Sequence, residues 1–486
     1  MTDMIPQVQR RGGPRSKSGC ETKHVKCNEG RPHCRRCLET GGICQYPVDA
    51  ATQQGVLALS RYAIPFRIPG SQQDRQLLHY FCVQGSSELT GFLDSDFWSR
   101  LVMQRSHDHN VVRQATLALS YAHRCISTTD SSSPDYEPLP AESIVRYNKA
   151  MRALRKHLSH NIDMKRASSF VVPLICAILF FCFESTQGNI EAAVQHLDFG
   201  LKILSQRPKE TSCDPENKDL TTLRRILARL DLQASIFLLD KGRLPKYVTT
   251  CDLKRPYQGP SQFRTIQDAQ DELTIILHRQ ITFLILHKEL EFTPGPDLPP
   301  KVVAEKRMIL ELYTRWEAKL DQFEQKYKAR EHEGLHDFSG HTETETLHDA
   351  AYVRSKAPPK STQPASSVLR MHCHLFRLLF KASLPLDESI FTMPEYQSRK
   401  IFENLLDLAE STLTGRVGTS VTKSVAAETG IVAPLFLIST KCRDTDISYR
   451  AFNLLATCGR REGLFDAQVA TQLVVRTSPP DSASPL

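Results

Sequence analysis

"GCETKHVKCNEGRPHCRRCLETGGIC", residues 19–44, packs five cysteines into one short stretch with lysines and arginines between them. The last four keep a regular spacing, Cys27-x6-Cys34-x2-Cys37-x6-Cys44, while Cys20 stands alone where a pair would complete the pattern. A Cys-x2-Cys pair at the start of a helical turn aims two sulfurs at one ion, and Zn2+ takes four tetrahedral thiolate or imidazole ligands. Cys34 and Cys37 form such a pair, and Cys27 and Cys44 flank it symmetrically. So short a segment buries too little apolar surface to fold alone, so bound metal would supply most of its folding free energy. This reads as a structural zinc module. A redox Cys-x-x-Cys is the competing reading of Cys34 and Cys37, and no βαβ pattern surrounds them to support it.

The same stretch is where the charge lies. The 486-residue chain has a net charge of +8, 40% hydrophobic and 24% charged residues, an ordinary composition for a folded chain. Between Arg10 and Cys44 stand nine basic residues (Arg10, Arg11, Arg15, Lys17, Lys23, Lys26, Arg31, Arg35 and Arg36) against the three acids Glu21, Glu29 and Glu39. A local basic surplus of this kind is the footprint of a phosphate-binding surface. No apolar signal core follows Met1. A reducing compartment is therefore expected, with the cysteines as thiolate ligands and thiols rather than disulfides. Nine scattered cysteines (Cys82, Cys125, Cys176, Cys182, Cys213, Cys251, Cys373, Cys442 and Cys458) lie mostly in apolar runs and read as small core residues.

The rest of the chain reads as helical. "SIVRYNKAMRALRKHL" places Ile144, Tyr147, Met151, Leu154 and Leu158 at 3-4-3-4 spacing, and "GNIEAAVQHLDFGLKIL" does the same with Ile190, Val194, Leu197, Leu201 and Leu204. Further helices are expected to start near Arg75, Asp96, Leu223, Gln267, Lys301, Ser366, Ser398, Asp446 and Asp466. The longest uncharged run, "ASSFVVPLICAILFFCF" (167–183), is too short to cross a membrane and carries Pro173, so it reads as a buried core helix. No alternating strand pattern is long enough to predict a sheet, so a mostly α chain is expected: a small N-terminal zinc-cluster module of two short helices plus a large all-α domain. The predicted organisation is a basic arm (1–18), the cysteine module (19–47), a linker (48–74), a helical region (75–475) with flexible loops near 205–219 and 330–367, and a tail (476–486). The second loop carries His332, His336, His341 and His348, and no rigid element is predicted to fix them for a metal.

"SKSGCETKHVKCNEGRPHCRRCLETGGICQYP" resembles the fungal Zn2Cys6 binuclear zinc cluster of transcription regulators. The resemblance implies six thiolates around two Zn2+, with the first and fourth bridging. Cys27, Cys34, Cys37 and Cys44 match the third to sixth ligands, and Pro32 matches the loop proline. The first half departs from the pattern. By spacing, Cys20 is the second ligand and the first would fall at Lys17. By its flanks, "SKSGC-x-T", Cys20 is the first ligand, and three residues including the second cysteine are missing after Thr22. Such a loss removes nearly one helical turn. A sixth ligand from water, His24 or His33, a single well-made zinc site, or a nine-nucleotide gene-model error would each account for the five cysteines. The metal ligands expected are thus Cys20, Cys27, Cys34, Cys37 and Cys44, holding one or two Zn2+.

The resemblance also assigns DNA-facing residues. Side chains four and three positions before the third ligand, here Lys23 and His24, would reach base edges in the major groove, typically at CGG triplets, and lysine to guanine O6 and N7 is a common specific contact. Lys26, Arg31, Arg35, Arg36 and the arm carrying Arg15 and Lys17 would meet phosphates, giving affinity and salt dependence rather than specificity. No heptad lies between Tyr46 and Gln72 to set the spacing of a homodimer. "FLDSDFWSRLVMQRSHDHNVVRQATLALSYAHR" (92–124), "YNKAMRALRKHL", "ILFFCFESTQGNIEAAVQHLDFGLKIL" and "IVAPLFLISTKCRDTDISYRAFNLLATCGRREGLFD" (431–466) resemble the helical regulatory region of fungal specific transcription factors. What this implies is a nuclear regulator of genes transcribed by RNA polymerase II. Its partners would be duplex DNA, the transcription machinery or co-regulators, and a second copy of itself, with no membrane. The alternative is a helical regulator with an impaired cluster that acts through protein partners. Enzyme chemistry has no P-loop, G-x-S-x-G, H-E-x-x-H or strand-linked G-x-G-x-x-G to rest on. "MHCH" (371–374) sets Cys373 between two histidines, but neighbours on a helix diverge by about 100°, which argues against a catalytic pair.

Overall fold

The computed structural model describes residues 35–40, 69–93, 96–128, 140–160, 168–205, 215–247, 257, 259–336, 362–391, 398–414 and 423–477. The chain divides into two compact units, Met1–Ile64 and Pro65–Leu486. In the first unit the described part is one short helix, α1 (Arg35–Glu39).

The second unit opens with α2 (Gln72–Tyr80). Its start is fixed reciprocally: Ser71 Oγ accepts from the Asp74 amide, and Asp74 accepts from the Ser71 amide. A π-helical turn (Phe81–Gly85), α3 (Ser86–Thr90), a second π turn (Phe97–Leu101) and α4 (Val102–Asp108) follow. The second π turn lets the consecutive rings of Phe97 and Trp98 both face inward, edge to face at 4.7 Å. Next come α5 (Asn110–Thr128), α6 (Ala141–His160), α7 (Ser168–Thr186), α8 (Ile190–Ser205) and α9 (Pro215–Phe237). Helix α7 is the uncharged run read as a core helix. It is apolar on every side, and every residue from Phe170 to Thr186 is buried. No helix among the described residues is long and apolar enough to cross a membrane.

Helices α10 (Ile266–Leu286), α11 (Pro300–His336) and α12 (Thr362–Lys381) build a second core around Tyr313 and Trp316, whose indole donates to the Ala269 carbonyl at 2.8 Å. A third core gathers α13 (Ser398–Thr414), α14 (Val432–Lys441), α15 (Thr445–Thr457) and α16 (Ala467–Thr477). Helix α12 joins the second and third cores because it carries two apolar stripes offset by one to two residues. Leu369, Cys373, Phe376 and Phe380 face one core, and Val368, Met371, Leu375 and Leu378 face the other.

Several expectations are corrected. A small sheet exists: β1 (Ser424–Ala426) runs parallel to β2 (Arg460–Glu462), which pairs antiparallel with β3 (Phe465–Asp466). Strands of two or three residues are too short to show a period in sequence. Gly463, between β2 and β3, has φ +56°, and any Cβ there would collide with Gln233. Ile144, expected to face the core, is 50% exposed, because it lies in the first turn of α6 where Ser143 takes the buried position. The interruption expected at 205–219 ends early, since α9 begins at Pro215 and Asp219 is bound by Arg100 and Arg105. Helices α11 and α12 likewise extend into both ends of the 330–367 loop. His341 and His348 lie outside the described residues. Cys176, Cys182, Cys373 and Cys442 are buried as expected, Cys125 and Cys458 are half-buried, and Cys82 is exposed. Cys213 and Cys251 fall outside the described residues.

Candidate zinc and DNA-binding module

Helix α1 carries the described part of the cysteine module. Its burial runs against hydrophobicity: Cys37 is 2% exposed, whereas the neighbouring Leu38 is 65% exposed. Cys37 is in no disulfide. A thiol turned inward while a leucine is turned outward fits a module organised around sulfur rather than around an apolar core. Arg35, at the start of the same helix, projects into solvent and pairs with Glu39 one turn on, at 3.1 Å. So α1 presents an inward thiol and an outward guanidinium. The side chain of Arg36, and all of Cys20, Cys27, Cys34, Cys44, Arg15, Lys17, Lys23, His24, Lys26 and Arg31, lie outside the described residues. Among the described residues no cluster of three histidines, cysteines or acids could hold a metal.

The "MHCH" run behaves as its helical spacing implies. On α12, His372 Nε2 lies 2.6 Å from the Gly430 carbonyl and His374 Nε2 lies 2.6 Å from Glu317 Oε1. Cys373 points into the second core, where burial pushes its thiol far above the usual range. The His374 hydrogen bond holds the Glu317 carboxyl below its ordinary value. The three side chains serve three different contacts, so there is no Cys–His pair.

No motif or periodicity in the sequence pointed to the buried polar lattice in the second unit. Glu462, on β2, is fully buried and accepts from the amides of Gly430 (2.8 Å), Ile431 (3.2 Å) and Val432 (2.9 Å) at the start of α14, and from Arg460 Nε (3.0 Å). A carboxylate at a helix N-terminus meets both the unpaired amides and the positive end of the helix dipole. Arg229 on α9 grips Glu428 through Nε at 2.5 Å and Nη2 at 3.0 Å. These partners stand 199 residues apart in the chain, beyond the reach of any periodicity.

A mostly α-helical body joined in sequence to a basic, cysteine-rich segment fits the class of zinc-cluster regulators of gene expression. The model of the fungal specific transcription factor domain matches residues 76–459, most of the chain, and that of the fungal Zn(2)-Cys(6) binuclear cluster domain matches residues 18–52. The chain belongs to the fungal specific transcription factor family. Among similar proteins is the aspercryptin biosynthesis cluster-specific transcription regulator atnN of Emericella nidulans, 27% identical over 345 residues covering 64% of this chain and 54% of that protein. The transcription regulator lscL of Purpureocillium lilacinum is 24% identical over 331 residues, 60% of this chain and 76% of that one. The Zn(2)-C6 fungal-type transcription factor afumD of Aspergillus fumigatus is 27% identical over 168 residues, 31% and 42% of the two chains. The chain thus spans about half the length of the first of these relatives. No solved structure matches it. The cluster domain implies zinc binding, and the family acts on transcription, not as enzymes.

Proposed function

We propose that this chain is a nuclear, zinc-dependent transcription factor that reads CGG-type sites in genes transcribed by RNA polymerase II. The observation that carries the reading is the 18–52 cluster match, within which Cys37 turns inward on α1 while Arg35 turns outward. Cys20, Cys27, Cys34, Cys37 and Cys44 hold one or two Zn2+. Bound zinc cross-links the thiolates and supplies folding free energy that so short a segment lacks. The cluster match begins at Ser18, leaving Lys17 outside it, which supports Cys20 as the first ligand. Lys23 and His24 read bases. Arg35, with Arg15, Lys17, Lys26, Arg31 and Arg36, neutralises phosphates, each contact steepening the salt dependence. The module spans 19–47 behind a basic arm (1–18), a linker from 48 leads to the regulatory domain that opens with α2 and ends with α16, and a tail follows. Co-regulators, and a second copy of the chain, engage the helical domain.

The test is binding of the full chain to CGG-containing and scrambled duplexes across a salt series. Affinity for CGG duplex at least about 1,000-fold above scrambled is expected at physiological salt. Arg35→Ala is expected to weaken both duplexes alike and lower the salt slope by about one unit. Equal affinity for the two duplexes would leave the chain as a regulator acting through protein partners alone, the reading that the missing sixth cysteine favours.

A further inference from the structure

Charges of opposite sign usually share the solvent face of a helix, and α11 shows the ordinary case. Its exposed Arg315 meets Glu311 one turn back at 3.5 Å, and Lys319, Asp321, Glu324 and Lys326 mix the two signs beyond it. Helix α6 departs from this. Its one acid, Glu142, accepts from Arg146 Nε at 3.0 Å. Beyond that pair, Lys149, Arg152, Arg155 and Lys156 line a single exposed face at helical spacing. Lys149, Arg152 and Arg155 form no ion pair among the described residues. Arg155 and Lys156 also suit the negative end of the helix dipole, but Lys149 and Arg152 lie more than two turns before His160, outside its reach. The face is held in place through Arg146, one turn earlier, which donates to Asp74 Oδ1 and Gln73 Oε1 at 2.8 Å each. Both acceptors stand on α2, the helix that the chain reaches first after the cysteine module.

We propose that this face of α6 is a second DNA contact, taking duplex phosphates outside the bases that the cysteine module reads. It rests on the DNA-reading proposal for its ligand. The four cations span about 10 Å of helix, and a duplex displays about six phosphate charges over that length. Phosphates ask only for cations, whereas the centre of a protein interface is apolar and poor in lysine. The exposed apolar residues of α6, Ile144 and Val145, lie in its first turn, before the cations begin. An acidic protein segment is therefore the poorer fit. Because the two units are one chain, a module bound to DNA raises the concentration of duplex available to α6, so contacts too weak to act alone still count. They add affinity and salt dependence without reading sequence.

The test is the salt dependence of binding of the full chain to a CGG duplex with flanks of about 20 base pairs, two helical turns, on each side. Replacing Lys149, Arg152 and Arg155 together by alanine removes three phosphate contacts and is expected to lower the salt slope by about 2.7 units. Between 50 and 200 mM salt the parent then loses about 40-fold more affinity than the variant. Alanine at Lys301, Arg307 and Lys328, exposed cations of α11, removes the same net charge and is expected to leave the slope within about half a unit of the parent's. Arg152→Lys with Arg155→Lys keeps the charges and is expected to keep the parent slope. Equal slopes for the α6 and α11 variants would overturn the proposal, as would an α6 variant with the parent slope, which would leave the face to an acidic protein partner. The DNA-reading proposal fails on a different result, equal affinity of the parent for CGG and scrambled duplexes, and the slope difference is readable on either duplex.

Discussion

Helices α1 and α7 treat the same side chain in opposite ways. In α1, five residues long, Cys37 is buried while Leu38 stands in solvent. In α7, nineteen residues long, Cys176 and Cys182 are buried among Ile175, Leu179, Phe181 and Phe183, and burial pushes both thiols far above their ordinary range. A thiol in apolar surroundings is held neutral and behaves as a small hydrophobe. Cys37 shares its short helix with an exposed leucine, so its burial is not that of an apolar helix face, and zinc is the partner proposed for it. Burial alone does not tell a ligand from a core residue.

Serine substitution would break that comparison most sharply. Cys37→Ser is expected to lower zinc content, measured by mass spectrometry of the native protein, and to reduce CGG binding to the level of scrambled DNA. The free energy of a structural zinc site, about 10–16 kcal/mol, is lost from the module. Thermal unfolding of the helical unit should not move. Cys176→Ser should do the reverse, leaving zinc content and DNA affinity intact while destabilising the helical unit by about 1–3 kcal/mol through a buried hydroxyl. If Cys37→Ser bound as much zinc as the parent chain, the distinction drawn between the two cysteines would fail.

A second contrast lies within the helical unit, between α7, held by apolar contact, and α14, held at its start by Glu462. Glu462→Ala leaves Arg460 without its buried carboxylate and three amides without an acceptor. A loss of about 3–5 kcal/mol is expected, read from denaturant unfolding with unchanged m-value. A loss below about 1 kcal/mol would mean that water replaces the carboxylate at that helix end.

These contrasts also mark how far the sequence could be read. The apolar run of α7, the two stripes of α12 and the 3-4 pattern of α8 are local periodicities, and each became a buried helix face. Ile144 obeyed the same period and is exposed, because the pattern gives a face but not where along the helix the neighbouring elements cover it. Strands β1 to β3 are too short for alternation and depend on partners up to 36 residues away, Ser424 pairing with Arg460. Arg229 with Glu428, and Glu462 with the start of α14, are charged residues that a composition-based reading places on the surface. Only the folded chain shows their partners. In the cysteine module the opposite holds, since four cysteines at fixed spacing are legible from the sequence alone.

The smallest expected effect separates the apolar rule from the polar one at a single site. His196 on α8 has its Nε2 2.8 Å from the hydroxyl of Tyr147, whose ring stacks on Phe183 of α7 at 4.4 Å. Burial holds the His196 pKa down at about 4, from an ordinary 6.5. Between those values the unfolded chain binds a proton that the native chain does not. His196 therefore contributes stability that is fully present above pH 6.5 and is lost as the pH falls toward 4. Allowing for its partial exposure, the loss amounts to about 1–2 kcal/mol across that window. His123 and His372 are also held low by burial, so the parent chain keeps other sources of acid sensitivity. The informative quantity is the difference between the parent and His196→Gln, which retains an acceptor for Tyr147 but cannot titrate. Melting temperatures of the two should converge as the pH drops from 7 to 4, with the parent losing more. Parallel curves over that range would show that water reaches His196 and that α6, α7 and α8 do not close over it.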